Sequence, residues 1–147
     1  MIPMKGENNM NNLMIKHNEL TAEEFCTLWA SVWGDPPTLE QTRLAMQHTL
    51  FRVSVFDGDT ISAMARVIGD MGLDYYIKDV VVRPEYQHKG IGRLLIGELL
   101  RFVHDHGVKG TEIFVELCAM PDKMPFYEKL GFDTNEAQRM KMMYRIE

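Results

Sequence analysis

The chain has 147 residues, 46% of them hydrophobic, and a formal net charge of −5 with a pI near 5.5. That is one domain of ordinary size with enough apolar material for a real core, so disorder is not the default. The acidic balance argues against a dedicated nucleic-acid binder and is weakly compatible with a cationic amine as substrate.

Residues 1–12 are polar and Asn-rich without a period, and read as a flexible tail ahead of a single domain over residues 13–147. Nothing near the N-terminus resembles the apolar core of a signal peptide, and no apolar run reaches bilayer length, so no membrane partner is expected. Leu13 to Lys16 reads as a first strand. Thr21-Ala22-Glu23-Glu24 is a capping box, and Phe25, Leu28, Trp29, Val32 and Trp33 follow at helical spacing. Gly34-Asp35-Pro36-Pro37 ends that helix. A second capping box, Thr38 to Gln41, opens another helix running to about Thr49. Trp29 fits core packing. Trp33, at the helix end beside a Pro-rich loop, is a candidate for the mouth of a substrate site.

Leu50 to Phe56 and Ile61 to Ile68 flank Asp57-Gly58-Asp59, a hairpin signal. After a second turn at Gly69 to Gly72, Tyr75 to Val82 reads as a central strand. On it Tyr76, Lys78 and Val80 are expected on one face, with Asp79 and Val81 on the other. The helix from Ile91 carries an apolar face and stops at Gly107. Gly97 inside it marks either a close packing contact or a glycine that is simply tolerated, and His104 and His106, two residues apart, do not share a face for a metal. Thr111 to Cys118 is a further strand, Phe126 to Leu130 a short helix stopped by Gly131, and Met140 to Ile146 a last strand. Cys26 and Cys118 lack metal-ligand spacing and read as reduced, buried cysteines of a cytoplasmic protein. No metal is expected. Hairpin-linked strands followed by strand–helix alternation define an α/β (α+β) fold, a mixed sheet with helices on both faces.

The segment Val80 to Arg93 concentrates the chemistry. Val80-Val81-Val82 closes a strand, Arg83-Pro84 stops it, and Gln87-His88-Lys89-Gly90-Ile91-Gly92 leads straight into a helix. A glycine turn at a helix start presents unpaired N–H groups and the positive end of the helix dipole, an arrangement suited to a phosphate or pyrophosphate. The turn is not followed by the Gly-Lys-Ser/Thr of a nucleotide P-loop, and the third glycine of a dinucleotide-binding turn is missing. Through Gln87, Gly90 and Gly92 it resembles motif A of the GNAT N-acetyltransferases. Phe126-Tyr127-Glu128-Lys129-Leu130-Gly131-Phe132 looks like motif B of the same family, in the right order after it. The resemblance spans roughly Leu13 to Ile146, and implies a GNAT-like, mostly antiparallel sheet.

The resemblance implies acetyl-CoA as donor and a primary amine as acceptor. It implies that main-chain groups of Val80, Val81 and Val82 pair with the pantetheine arm. Amides from His88, Lys89, Gly90, Ile91, Gly92 and Arg93, with Gln87, would hold the pyrophosphate, a charge from Lys89 or Arg93 lying nearby. Tyr127 matches the tyrosine that protonates the departing thiolate in many relatives. With a reference pKa near 10 against about 8.5 for a thiol, tyrosine stays protonated at neutral pH and is able to donate. The Val82 amide is a candidate to polarise the thioester carbonyl. Where relatives often place a glutamate base, this chain has Lys78. Asp79, Glu116 or a water chain are the substitutes, although a structural hydrogen bond is the favoured role for Asp79. Tyr76, on the central strand, and Trp33 are candidate acceptor contacts. At the position where many relatives bond the CoA arm through asparagine stands Met120, so that contact is absent or made otherwise. A homodimer, common in the family, stays open. So do a protein amine as acceptor, a non-catalytic acyl-CoA-binding regulatory module, and a structural or interaction protein that kept only the fold.

Overall fold

The computed structural model describes residues 12–134 together with 142, 143, 145 and 146. The elements run β1 (Leu13–His17), α1 (Ala22–Trp33), α2 (Leu39–Gln47), β2 (Phe51–Asp57), β3 (Thr60–Gly69), β4 (Asp74–Val82), α3 (Ile91–His106), β5 (Phe114–Leu117) and α4 (Met124–Glu128). The strands form one sheet in the order β1-β2-β3-β4-β5. The first four pair antiparallel, and β5 lies parallel to β4. The tail of residues 1–11 lies outside the described residues. So do Met140, Lys141 and Tyr144 of the anticipated last strand.

Both capping boxes form as the sequence reads. Thr21 Oγ1 accepts from the Glu24 amide while Glu24 accepts from the Thr21 amide, and Thr38 and Gln41 do the same for α2. The β2–β3 hairpin turns on Gly58, whose φ of +59° suits the first position of a two-residue II′ turn. Before β4, Asp70 Oδ1 accepts the amides of Gly72, Leu73 and Asp74. Those bonds hold its carboxyl below the usual aspartate range.

The two sheet faces carry separate cores. Beneath α3, Val53, Val55, Ala63, Ala65, Val67, Tyr75 and Ile77 pack against Leu95, Ile96 and Leu99. Beneath α1 and α2, Ile61, Met64 and Val81 meet Phe25, Leu28 and Met46. Of the two readings of Gly97 the second holds: it is exposed, and a Cβ there would meet nothing within 4 Å, so this glycine is merely tolerated in the helix. Other expectations need correction. β5 is shorter than Thr111 to Cys118, because Thr111 folds back onto the Val108 carbonyl through both its amide and its hydroxyl. The cysteines are not buried as expected: Cys26 is half-buried and Cys118 exposed just past the end of β5. In addition α4 begins at Met124, two residues before Phe126. Pro125 sits in its first turn, where its missing N–H costs nothing.

Candidate active site

The site is set by an irregularity in β4. Pairing with β3 passes from Arg66↔Lys78 to Met64↔Val81, so Asp79 and Val80 stand opposite the single residue Ala65. This is a bulge, and Asp79 takes the left-handed conformation with φ +54°, which aspartate tolerates better than most residues. The bulge shifts the side-chain alternation and overturns the expected facing. Val80 and Val82 pack with Tyr75 and Ile77 on the α3 side, while Lys78 and Asp79 line one pocket on the α1–α2 side.

At the same place β4 parts from β5. Their pairing ends at Ile77↔Leu117, yet β4 runs on to Val82. Arg83 anchors the strand end on β3, its amide bonded to the Ser62 carbonyl and its Nε to that of Ile61, at 2.9 and 2.7 Å. Because successive strand amides point to opposite edges, the Val82 N–H faces the opened edge. The Val82 carbonyl, on that edge too, accepts from Gln87 Nε2 at 3.0 Å. Gln87 is therefore a strut between strand and turn.

Pro84–Tyr86 forms one 3₁₀ turn, pinned by the Tyr86 hydroxyl donating to Asp57 Oδ2 at 2.8 Å. That bond, with some burial, raises the Tyr86 pKa. His88 (φ +62°) and Gly90 (φ +85°) are left-handed, and α3 starts at Ile91. The amides from His88 to Arg93 donate to no acceptor among the described residues. Unpaired N–H groups at a helix start are suited to an anion. Of the two nearby cations, Lys89 donates to the Glu85 carbonyl at 2.9 Å, while Arg93 is exposed.

Gly92 has a further task beside the one its motif suggests. A Cβ there would lie 3.1 Å from Cζ of Phe126, so its bare Cα is where α4 seats its aromatic side chain. The next residue, Tyr127, packs against the α3-side core, edge-on to Phe126 at 4.9 Å and to Phe132 at 6.0 Å between ring centroids. Turn and tyrosine thus share one face of the sheet. Burial raises the Tyr127 pKa, which keeps the phenol protonated at neutral pH.

Across the sheet is a cavity of about 230 Å³, walled by Phe25, Trp29, Thr42 and Ala45 and floored by Arg66, Lys78 and Asp79. Arg66 Nε binds Asp79 Oδ2 at 2.6 Å, their side chains only 13% and 11% exposed. Arg66 Nη1 donates to Thr49 Oγ1 at 3.1 Å. Trp33 lies outside this lining, edge-on to Trp29 at 4.8 Å. Tyr76 is also outside it, with Lys78 Nζ 5.8 Å from its ring centroid. Sequence reasoning missed Arg66 and gave Trp29 only a core role. An arginine in a strand that otherwise reads Ser-Ala-Met-Ala-Arg-Val-Ile was the available signal, since a charge there needs a buried partner.

Residues 18–132 match the model of the acetyltransferase (GNAT) family, and the chain belongs to that family. An uncharacterised N-acetyltransferase of Porphyra purpurea is 29% identical over 104 residues, 68% of this chain and 57% of the algal protein. The present chain thus spans little more than half of that relative. Glucosamine 6-phosphate N-acetyltransferase of Trypanosoma brucei brucei is 40% identical over 63 residues, 43% of this chain and 40% of that one. Among solved structures, a probable acetyltransferase of Staphylococcus aureus superposes with a TM-score of 0.82 at 28% identity, covering 90% of this chain and 99% of its own. A GNAT-family acetyltransferase of Streptococcus pneumoniae gives 0.75 at 26%, covering 91% and 99%. Their shared fold agrees with the mixed, mostly antiparallel sheet described above. No helix among the described residues is long and apolar enough to cross a membrane.

Proposed function

We propose that the chain is an acetyl-CoA-dependent N-acetyltransferase that transfers the acetyl group to the primary amine of a small molecule by direct attack within a ternary complex. One observation carries the reading. Where β4 leaves β5, the unpaired amides of His88 to Arg93 and the half-buried ring of Tyr127 lie on one side of the sheet, and a pocket open to solvent lies on the other.

The residues present fit acetyl-CoA as co-substrate. The cradle amides suit its pyrophosphate, with Arg93 or Lys89 lending charge. The open edge of Val80 to Val82 suits the amide-bearing arm, which adds as a strand would. The thioester it brings is an activated acyl group. The Val82 N–H, which faces the opened edge, would donate to the carbonyl oxygen of a thioester lying there. As the amine nitrogen bonds to the carbonyl carbon the C–S bond breaks, and the Tyr127 hydroxyl gives its proton to sulfur and recovers one from the nitrogen through solvent. An ammonium reactant loses one further proton to water, so amide, thiol and one proton are the products. Tyr127 as general acid contributes about 10²–10⁴-fold, and alignment of amine and thioester supplies much of the rest. Asp79 as base is the less favoured role, since its carboxylate already accepts from Arg66.

A small acceptor is supported by the cavity, which falls below the ~300–1,000 Å³ of drug-sized sites, and by a relative named for a small amine, glucosamine 6-phosphate. The free cysteines Cys26 and Cys118 are in keeping with the reducing cytoplasm. Free-thiol release across a panel of primary amines tests the proposal, with acetyl-CoA binding measured by calorimetry. Thiol release that requires both reactants supports it. Acetyl-CoA binding without release for any amine identifies a regulatory acyl-CoA binder instead, and absence of binding leaves only the fold.

A further inference from the structure

The acceptor pocket holds an uneven charge. Its floor carries two cations, Arg66 and Lys78, and one anion, Asp79. Asp79 is committed to Arg66, and Arg66 is fixed on its other side by Thr49. Lys78 has no carboxylate within ion-pair reach among the described residues. Its ammonium lies 5.8 Å from the Tyr76 ring centroid, at the distance limit of a cation–π contact. A half-buried cation in a pocket walled by Phe25 and Trp29 loses hydration without gaining a counter-charge. The pocket is thus one positive charge in excess, although the whole chain is acidic.

We propose that the acceptor is an amine that also bears an anionic group, a carboxylate or a phosphate, which pairs with Lys78 while the body of the molecule lies against Trp29 and Phe25. This rests on the acetyltransferase reading and narrows its substrate class. Charge geometry supports it. The anion supplies the partner that Lys78 lacks, while Arg66 beside it is already held by Asp79 and Thr49. Polyamines, with several positive charges and no anion, are disfavoured by the same field.

The experiment compares matched amines that differ in the anion alone: phenylalanine against phenethylamine, and O-phosphoethanolamine against ethanolamine. The first pair reads carboxylate, the second phosphate. In at least one pair the anionic member is expected to win by about tenfold or more in kcat/KM, the scale of one charge-assisted hydrogen bond. In Lys78→Met that ratio collapses towards one, and in Lys78→Arg it is largely restored, which loss of folding alone would not produce. Equal rates within both pairs, preference for the non-anionic members, or a ratio that survives Lys78→Met overturns the proposal. If no amine is acetylated, the catalytic reading fails separately and calorimetry decides this one. Heat of binding for phenylalanine or O-phosphoethanolamine that is lost in Lys78→Met supports it, and no such binding overturns it.

Discussion

The ion pair between Arg66 and Asp79 offers the sharpest test of how the bulge is held. The two side chains are almost fully covered, 13% and 11% exposed, so the pair lies nearer the buried than the surface case. Breaking a buried pair costs about 3–5 kcal/mol because the remaining charge is left uncompensated. Arg66 keeps its bond to Thr49 Oγ1 and borders an open pocket, which reduces that cost to about 2–3 kcal/mol for Asp79→Asn. Asparagine accepts the left-handed backbone at this position as readily as aspartate does. Asp79→Ala adds strain to the lost pair, about 1 kcal/mol more, because alanine does not favour φ +54°. Urea unfolding of the two variants and of Arg66→Met measures the terms. The double variant Asp79→Asn/Arg66→Met is expected to be less destabilised than the sum of its parts by about 1–3 kcal/mol. Additive losses, or alanine no worse than asparagine, would refute the account of a charge pair stabilising a strained bulge.

Tyr127→Phe is expected to lower kcat by about 10²-fold or more while acetyl-CoA affinity changes little, checked by steady-state kinetics and calorimetry. A large affinity loss with unaltered turnover contradicts the acid role. The raised Tyr127 pKa also predicts a pH dependence of stability. Below about pH 10 the phenol is protonated in both folded and unfolded chains. Above it the unfolded chain ionises first, so stability contributed by Tyr127 falls as pH rises through 10 towards the folded value. Alkaline unfolding midpoints should therefore be shallower in Tyr127→Phe than in the parent. Gly97→Ala is expected to stabilise by about 0.5–1 kcal/mol in urea, since the site is open and helical; destabilisation would expose a missed contact. Gly92→Ala must push Phe126, with Cβ to Cζ only 3.1 Å, so helix propensity and overpacking roughly cancel in stability while kcat falls. Phe126→Leu in that background should recover turnover, and failure to recover would detach α4 positioning from Gly92.

Most elements were legible because their signals are local. Capping boxes, the Asp57-Gly58-Asp59 turn and the Gly107 stop each act within a few residues, and each appears where the chain spells it. The turn from Gln87 to Gly92 was legible for the same reason. The bulge at Asp79 and Val80 was not. Alternation read along one strand assumes an unbroken ladder, and a bulge is decided by the partner strand, here at Ala65. One extra residue sent Val80 to the α3 face and left Lys78 and Asp79 together on the other. The pocket went unseen because its walls come from α1 and α2 and its floor from β3 and β4. No single stretch carries that pattern. The 3.1 Å approach of Phe126 to Gly92 is likewise a meeting of distant segments.

These two hidden features divide the work of the site between them. The bulge gives β4 a change of facing just past the last β5 pair, so the strand edge opens where Lys78 and Asp79 reach the pocket. A regular strand would have kept Asp79 on the face of Tyr75 and Ile77, under α3, with a charge in an apolar core. The Gly92–Phe126 contact then fixes α4 against the start of α3, so the phenol that follows in sequence is placed by the same turn whose amides are left unpaired. On the proposed reading, cradle amides and phenol lie together on the α3 face, and the pocket lies beneath α1 and α2. Changes to Trp29, Phe25 or Lys78 are then expected to alter which amine is taken while leaving acetyl-CoA affinity unchanged, whereas a change at Gly92 is expected to reach both the unpaired amides and Tyr127.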